Sequence, residues 1–338
     1  MSTAHSTSNP LVTIAIPTFN RALWLKDCVV SALSQTYQHF EILVSDNAST
    51  DETEQVLSEF SDRRLRVLRQ KSNIGLLPNW NACLAGARGD YVIFLSDDER
   101  LAPWMLERCI NLVKVQPEIP IVITLSTLHS TDETWPARTS EYLDTGIWDG
   151  ADILLEYLTY QISVHMCGIM MRTVVIRARG GFRLDFPHLA DTALWAPLLL
   201  KGKAGLVNEA CATCYSHGAS ETARLSVEQL LRDGWEVANL ISNLAEHSVN
   251  DLKKRRRICL QSRVACLRRG LIILDLYRRQ GGGLVEVLTV VWRFRHIFLS
   301  NVGMKNFHLG RWHIANIFCR RQIGWIRRFK RFCLNQPT

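Results

Sequence analysis

Short apolar runs alternate with helical patterns over the first third of the chain. Between the runs, apolar residues recur every three or four positions, which places them on one face of a helix. Strands that alternate with crossover helices in this way predict an α/β domain, with a mostly parallel sheet and helices on both faces. The predicted strands of this part are Leu11–Ile16, Phe40–Val44, Leu65–Leu68 and Tyr91–Leu95.

The pattern is mixed in the middle of the chain and helical beyond Leu225. A helix is predicted at Ala190–Lys201, and Ser49 with Glu52 has the spacing of a capping box at the start of a short helix. The predicted strands of the middle part are Ile119–Leu125, a segment near Met166–Met171, Ala204–Val207 and Ala212–Ser216.

Composition indicates a globular chain with a chemically distinct end. The 338 residues are 47% hydrophobic and 21% charged, which excludes wholesale disorder and a fibrous repeat. The net charge of +8 comes from the last 52 residues, which carry ten Lys or Arg and no acid. Basicity is therefore a property of the tail, residues 287–338, and the remaining chain is close to neutral.

Cysteine use indicates a reducing compartment. Cys28, Cys83 and Cys109 lie in apolar segments, where a thiol acts as a small hydrophobic side chain. Cys211 and Cys214 form a CxxC pair without a second pair, so packing is favoured there over a zinc or redox site. We expect no signal peptide and no membrane-spanning helix, because the chain shows neither a basic start with an apolar stretch nor a run of 18 uncharged apolar residues.

Polar residues directly follow three of the predicted strands. They form the segments Pro17–Arg21, Ser45–Asn47 and Ser96–Glu99. Because ligands of an open parallel sheet bind at the carboxyl ends of its strands, we expect these segments to form one site. Adjacent carboxylates such as Asp97 and Asp98 suit Mg²⁺ or Mn²⁺, which take oxygen ligands and share their shell with substrate phosphates. No GxGxxG or P-loop motif is present, which favours a sugar-nucleotide leaving group.

Two stretches carry a resemblance to a known family. The segment "VTIAIPTFNRALWLKDCVVSALSQTYQHFEILVSDNASTDET", continued by "SNIGLLPNWNACLAGARGDYVIFLSDDE", closely resembles family 2 glycosyltransferases of the GT-A fold over about residues 10–125. The resemblance implies an inverting transferase that uses a nucleotide-diphospho-sugar and a divalent metal, Mg²⁺ or Mn²⁺. It also implies the donor-binding residues, which are Pro17, Thr18, Asn20 and Arg21 in the nucleotide pocket, Asp46 at the nucleobase, and Asn73 and Gly75 on a loop near the nucleotide.

The acidic turn departs from the Asp-x-Asp pattern that many members of this family share. Here Asp98 takes the place of the metal-ligating second aspartate, and Ser96 replaces the first. Asp97 either takes over the lost metal contact or faces the ribose of the donor. The metal assignment therefore depends mainly on Asp98.

The acceptor side resembles the family more loosely, through "FPHLADTALWAPLLLKGKAGLVNEACATCYSHGAS". Asp191 takes the place of the general base, a carboxylate that removes the proton of the attacking hydroxyl. The alternative is that Asp191 only N-caps its helix. His217 matches a histidine that approaches the diphosphate or the metal, and its alternative role is structural hydrogen bonding. Trp80 and Trp195 are expected to be packing residues.

These features together predict three regions of the chain. Residues 1–9 are expected to be disordered, residues 10–220 to form the GT-A domain, and residues 221–338 to form a helical region that includes the tail. Within the GT-A domain, residues 10–125 are the nucleotide-sugar half and residues 126–220 the acceptor half.

The tail has the composition of an interfacial helix, with nine Phe or Trp residues. An aromatic face opposite a basic face fits an anionic membrane surface. A helix packed on the catalytic domain is the alternative, and a nucleic-acid partner is disfavoured because no binding module accompanies the tail. If Ile314–Cys333 is helical, one face carries Ile314, Phe318, Trp325, Phe329 and Phe332, and the opposite face carries Arg320, Arg327 and Arg331.

The leading hypothesis is a cytoplasmic glycosyltransferase, peripheral on the inner face of the cell membrane. It would act on a polyprenyl-diphosphate-linked saccharide acceptor in bacterial surface-polysaccharide or lipopolysaccharide O-antigen synthesis. The arrangement is also similar to transferases that add a dideoxyhexose branch, such as abequosyltransferases. One alternative is a non-catalytic nucleotide-sugar-binding protein, which the altered acidic turn favours. The other is a nucleotidyltransferase, whose glycine- and lysine-rich first loop the segment PTFNR does not supply.

Truncation before Ile314 is expected to release the protein from anionic vesicles. Each basic residue near an anionic surface contributes about 1 kcal/mol, and the aromatic side chains add apolar burial that salt does not screen. Co-sedimentation of the full-length and truncated chains measures the difference, with neutral vesicles as the control. Full-length protein that stays in the supernatant at low salt would contradict the membrane interpretation.

Overall fold

The computed structural model describes residues 9–130, 133–216, 225–279, 289 and 292–294. Within them, strands and helices alternate over the first third, the middle is mixed up to β10, and the residues after it are helical, as predicted. The strands are β1 (Val12–Thr18), β2 (Phe40–Asp46), β3 (Leu65–Arg69), β4 (Tyr91–Phe94), β5 (Arg100–Leu101), β6 (Ile121–Ser130), β7 (Thr134–Trp135), β8 (Gly146–Asp149), β9 (Ile169–Arg172) and β10 (Lys203–Ser216).

The helices surround these strands. They are α1 (Ala22–Leu33), α2 (Thr53–Ser58), α3 (Leu76–Gly86), α4 (Met105–Val115), α5 (Gly150–Leu158), α6 (Thr173–Ala178), α7 (Ala190–Leu199), α8 (Val227–Ser248) and α9 (Leu252–Arg279).

Strand β1 lies between β2 and β4 and is parallel to both. Its pairing with β2 continues to the last residue, where Thr18 lies opposite Asp46. The sequence predicted that this strand would end before Pro17, but the strand runs through it. Pro17 has no backbone N–H to donate, and it is tolerated here because β1 is paired only with β2 at this level, β4 having ended opposite Ala15.

The sheet order is β3-β2-β1-β4-β9-β6-β10-β5, and along this order β9 and β5 run against the other strands. The first four strands are parallel, as predicted, whereas β9 is antiparallel to both β4 and β6. Strands β6 and β10 are again parallel to each other. The two short strands predicted at the end of this region are one strand, β10, with register shifts between Val207 and Ala212. A bulge adds unpaired residues without ending the strand, and this explains the break in the apolar pattern.

Helices cover both faces of the sheet, and successive residues of each strand contribute to different cores. On one face, Ile14 and Ile16 of β1 belong to the cluster formed with α1 and α4. On the other face, Ala15 belongs to the cluster formed with α3, α5, α7 and α8. The predicted α/β architecture with helices on both faces is therefore confirmed.

The two tryptophans predicted to pack do so. Trp80 stacks on Phe94 with ring centroids 5.6 Å apart and meets Phe182 edge-on at 5.1 Å. Trp195 is buried and meets Tyr157 edge-on at 4.8 Å. Offset and edge-on geometries are the favourable arrangements of aromatic pairs, and they fix α3 and α7 against their neighbours.

The chain divides into two compact units, Met1–Ala265 and Cys266–Thr338. The first unit contains the sheet, α8 and the first half of α9. Within it, the hydroxyls of Ser242 on α8 and Ser262 on α9 form a buried hydrogen bond of 2.9 Å. Among the helices in the described ranges, none is both long and apolar enough to cross a membrane. The tail segment Ile314–Cys333 lies outside the described residues.

Candidate active site

The loop that follows β1 is fastened to the loop that follows β2. Asn20 N donates to the Ser49 hydroxyl at 2.9 Å, and Thr50 N donates to Asn20 Oδ1 at 2.8 Å. Asn47 N donates to the carbonyl of Thr18 at 2.9 Å. Asn20 has a φ of 52°, a left-handed conformation that Asn adopts more readily than most residues. The loops after β1 and β2 are therefore held together by hydrogen bonds of backbone N–H groups to side-chain and backbone oxygens.

The predicted capping box does not form. Glu52 is the N-cap residue of α2 and makes no side-chain capping bond, while the Ser49 hydroxyl accepts from Asn20. Asp51 provides the capping oxygens instead. Its carboxylate accepts hydrogen bonds from Thr53 N at 3.1 Å and from Ala22 N at 3.0 Å. Asp51 therefore joins the first turns of α1 and α2, and the sequence spacing alone did not reveal this role.

Asp46 ends β2 and is only 1% exposed. Its Oδ1 accepts from Ser49 N at 2.9 Å, and Arg69 Nε lies 3.6 Å from its Oδ2. One oxygen of the carboxylate therefore stabilises the turn after β2, and the other lies near the guanidinium of Arg69.

Asn47 connects this turn to the loop that contains the predicted donor residues Asn73 and Gly75. Its Nδ2 donates to Asn73 Oδ1 at 2.9 Å, and Ile74 N donates to its Oδ1 at 2.9 Å. Gly75 has a φ of 91°, which a residue with a side chain rarely adopts. The structure thus places Asn73 and Gly75 beside the ends of β1 and β2. Asn47 lies in the predicted site segment Ser45–Asn47, but the sequence assigned it no role of its own.

The acidic turn after β4 contacts the end of β1. The Thr18 hydroxyl donates to Asp97 Oδ2 at 2.7 Å, and Arg21 Nη1 lies 3.1 Å from Asp98 Oδ2. Burial raises the pKa of Asp97 to about 7, and the charge of Asp98 adds to that effect. Asp97 is buried, whereas the Asp98 side chain keeps 12% of its surface exposed. Of the two carboxylates, Asp98 is the one that reaches solvent.

Glu99 is a third carboxyl of this turn, and the sequence did not identify its role. It is buried, and burial followed by the charge of Asp98 raises its pKa to about 7. Ser96 N donates to it at 3.1 Å, and the thiols of Cys167 and Cys214 also contact it. Glu99 therefore connects the acidic turn to Cys214 of β10.

The CxxC pair serves packing, as favoured from the sequence. Cys211 is buried and Cys214 half-buried, and both are free thiols. Burial raises the pKa of Cys211 to about 12 and raises that of Cys214 as well. A buried thiol of this kind acts as a small hydrophobic side chain.

Asp191 lies in the first turn of α7 and is half-buried. The N-cap residue is Leu189, so Asp191 lies inside the first turn and not at the N-cap position. Its Oδ1 accepts from Thr192 N at 2.6 Å. The pKa of Cys214 is raised first by burial, and the charges of Glu99, Asp98 and Asp191 raise it further. The charges of Asp98 and Asp191 therefore both raise the pKa of the Cys214 thiol. The predicted metal ligand and the predicted base thus lie near the same side chain.

The carboxylates fit a cation that shares its ligands with a phosphate group. Mg²⁺ is commonly bound through one or two carboxylates together with waters and substrate phosphates. Asp98 supplies one partly exposed carboxylate, and within the described residues no three His, Cys, Asp or Glu side chains group to hold a metal ion. This donor set suits a cation that arrives with a diphosphate and does not suit an all-protein metal cage. The predicted site residue His217 lies outside the described residues.

Comparisons with known proteins point to one family. The family model described as "Glycosyl transferase family 2" matches residues 13–177. A relative from Escherichia coli, the UDP-Glc:alpha-D-GlcNAc-diphosphoundecaprenol beta-1,3-glucosyltransferase WfaP, is 25% identical over 241 residues, which are 71% of this chain and 90% of that protein.

Solved structures share the fold. S. aureus TarS 1–349 in complex with UDP has a TM-score of 0.59 at 16% identity, over 74% of this chain and 70% of that one. The mannosyltransferase PcManGT from Pyrobaculum calidifontis, in complex with GDP-Man and Mn²⁺, has a TM-score of 0.52 at 16% identity, over 93% and 89% of the two chains. These likenesses confirm the predicted GT-A fold.

Replacement of Asp46 separates nucleobase recognition from support of the loop. Asp46→Ala removes the acceptor of Ser49 N, whereas Asp46→Asn keeps an oxygen for it and loses the charge. If Asp46 contacts the nucleobase, we expect both variants to weaken binding of a nucleoside diphosphate, by about 1–3 kcal/mol for a lost buried hydrogen bond. Calorimetric titration measures the affinity. Wild-type affinity of the Asn variant would reduce Asp46 to a loop-supporting residue.

Proposed function

We propose that the chain is a family 2 glycosyltransferase, whose family model matches residues 13–177, and that it is an inverting, metal-dependent enzyme of bacterial surface-polysaccharide or O-antigen synthesis. The single observation that carries the proposal is the convergence of the carboxyl ends of β1, β2 and β4. The contacts Thr18–Asp97, Arg21–Asp98 and Asn20–Ser49 bring them together.

The donor is proposed to be a nucleotide-diphospho-sugar bound across these strand ends. Pro17, Thr18, Asn20 and Arg21 line one side of the site, and Asp46 lies at the end of the neighbouring strand. The loop of Asn73 and Gly75 closes the same edge through Asn47. TarS, solved with UDP, and PcManGT, solved with GDP-Man, share the fold, and this supports a nucleotide-sugar as the donor.

Asp98 is proposed to hold Mg²⁺ or Mn²⁺. Bound there, the cation would supply positive charge to the leaving diphosphate. Arg21 is the cation that contacts Asp98 in the structure, and its guanidinium is placed to pair with phosphate oxygens as well. Asp97 is buried and accepts from Thr18, so it orients the turn and leaves Asp98 as the exposed ligand.

Asp191 is proposed to be the general base. Transfer with inversion needs a carboxylate that accepts the proton of the acceptor hydroxyl while that oxygen attacks the anomeric carbon. Oδ1 of Asp191 is oriented by Thr192 N, and no donor in the described part of the chain contacts Oδ2. The free oxygen is therefore available to the acceptor, and the leaving diphosphate would depart on the side of Asp98 and Arg21.

The acceptor is proposed to be a polyprenyl-diphosphate-linked saccharide at the cytoplasmic face of the membrane. WfaP, the relative from E. coli, is named for a GlcNAc-diphosphoundecaprenol acceptor. The basic, aromatic tail of residues 287–338 would hold the enzyme on the anionic inner-membrane surface, and residues 10–220 and 221–338 would be the catalytic and C-terminal regions. None of the comparisons favours a nucleotidyltransferase or a non-catalytic binding protein.

Asp98→Asn tests the proposed function directly. We expect it to lower sugar transfer at least about a hundredfold, because metal stabilisation of a leaving group is worth several kcal/mol. Release of nucleoside diphosphate, measured with candidate nucleotide-sugars, isolated membranes and Mn²⁺, provides the rate, and excess chelator should have the same effect on the wild type. Glu52→Gln, a change of a solvent-exposed carboxylate, is the matched control. Full activity in chelator would contradict metal dependence, and the absence of turnover in the wild type would contradict a transferase.

Asp191→Asn tests the base. The amide keeps an oxygen for Thr192 N and the size of the side chain, so the helix start is preserved. We expect kcat to fall about a hundredfold or more while donor affinity stays unchanged, because the base serves only the acceptor. An Asn variant with a normal kcat would leave Asp191 without a catalytic role.

A further inference from the structure

Helix α7, which carries Asp191, begins at an N-cap residue that makes no side-chain capping bond. Its N-cap residue is Leu189, an apolar residue that cannot accept the free N–H groups of the first turn. Leu189 also has a φ of 65°, in the left-handed region that a residue with a bulky side chain rarely adopts. A conformation of this kind persists only where the surrounding structure imposes it. The conformation of Leu189 therefore requires a constraint from outside α7.

A buried carboxylate of α8 provides that constraint. Asp233 is 1% exposed, and its Oδ2 accepts from His188 N at 2.8 Å. His188 directly precedes Leu189, so this bond fixes the backbone at the entrance to α7. Asp233 and Asp191 are thus separated by one hydrogen bond and three residues of chain.

The other oxygen of Asp233 is also occupied. Gln229 Nε2 donates to Oδ1 from one helical turn earlier on α8. Gln229 N in turn donates to the hydroxyl of Ser226, the N-cap residue of α8, at 3.2 Å. Since both oxygens have protein partners and the side chain is buried, the Asp233 carboxylate is built into the protein and does not touch a substrate.

The apolar packing between α7 and α8 does not set the direction of the Asp191 side chain. The hydrogen bond from His188 N to Asp233 can set it. Val237 and Ile241 of α8 belong to the same core cluster as Ala193 and Leu194 of α7. Such packing is non-directional and holds the helices together without selecting a backbone conformation. A hydrogen bond to a charged acceptor is directional and is stronger when buried.

We propose that Asp233 is a positioning residue for sugar transfer, which fixes the direction in which α7 presents Asp191 to the acceptor. The proposal rests on the proposed role of Asp191 as the base. It assigns to α8, which lies outside residues 13–177 matched by the family, a defined part in the reaction.

A double-mutant cycle with Asp191 tests the proposal. We expect Asp233→Ala to lower kcat between about tenfold and a hundredfold, the size of effect that a displacement of about 1 Å has on a reacting group. Donor affinity and binding stoichiometry, measured by calorimetry, should stay at wild-type values. Because Asp233 acts through Asp191, the double variant Asp191→Asn with Asp233→Ala should be no slower than Asp191→Asn alone.

Two further variants separate positioning from folding. Asp233→Asn keeps an oxygen for His188 N, and the amide of Gln229 can turn to accept its N–H, so this variant should recover most of the wild-type kcat. Glu236→Ala, which removes an exposed carboxylate three residues later on α8, is the matched control and should leave kcat unchanged. Should Asp233→Ala not fold, Asp233→Ser, whose side chain is one atom shorter, takes its place in the cycle.

The outcomes distinguish this proposal from the proposed function. A normal kcat for Asp191→Asn would remove the base and with it the proposal. A slow Asp191→Asn together with a normal Asp233→Ala, or with effects that multiply in the double variant, would overturn the positioning role of Asp233 alone. Loss of binding stoichiometry in proportion to kcat would likewise overturn it, since that result describes a smaller folded fraction.

Discussion

Strand β1 is hydrogen-bonded to β2 on one side and to β4 on the other, and the whole site depends on that parallel register. Because the three strands run in the same direction, the residues that end them meet at one edge of the sheet. Thr18 lies opposite Asp46 on β2, and its hydroxyl also reaches Asp97 after β4. A shift of register by one residue would turn every side chain of a strand to the other face and would separate these groups. The apolar alternation of β1 between the two cores holds the register in place.

The acidic turn shows how one short segment supplies carboxyl groups with different properties. Asp97 and Glu99 are buried, and burial raises the pKa of each to about 7. Asp97 accepts a hydrogen bond from the Thr18 hydroxyl, and Glu99 accepts one from Ser96 N. These two bonds stabilise the shape of the turn. Asp98, between them, is left partly exposed beside Arg21. The turn of residues 96–99 thus buries two of its carboxyls and leaves the third, Asp98, partly exposed.

The sequence predicted the parts of this molecule that depend on local pattern. Apolar runs located β1, β2 and β4, and polar strand ends located Thr18, Asp46 and Asp98, because both signals lie within a few residues. The antiparallel insertion of β9 and the continuous β10 could not be predicted, since strand direction and bulges are decided by distant partners. The roles of Asp51, Glu99 and Asp233 escaped prediction for the same reason. Each is defined by a contact with a group far along the chain.

Hydrogen–deuterium exchange with UDP or GDP in the presence of Mn²⁺ tests most directly whether the strand ends form the donor site. Ligand contacts and the ordering of a loop both slow amide exchange. We predict slower exchange in residues 17–21, 46–50, 73–76 and 96–99, and unchanged exchange in the cavity beside the start of β2, which is lined by Thr36, Tyr37, Glu107 and Lys114. Protection of that cavity, with no change in the four segments named above, would contradict the account.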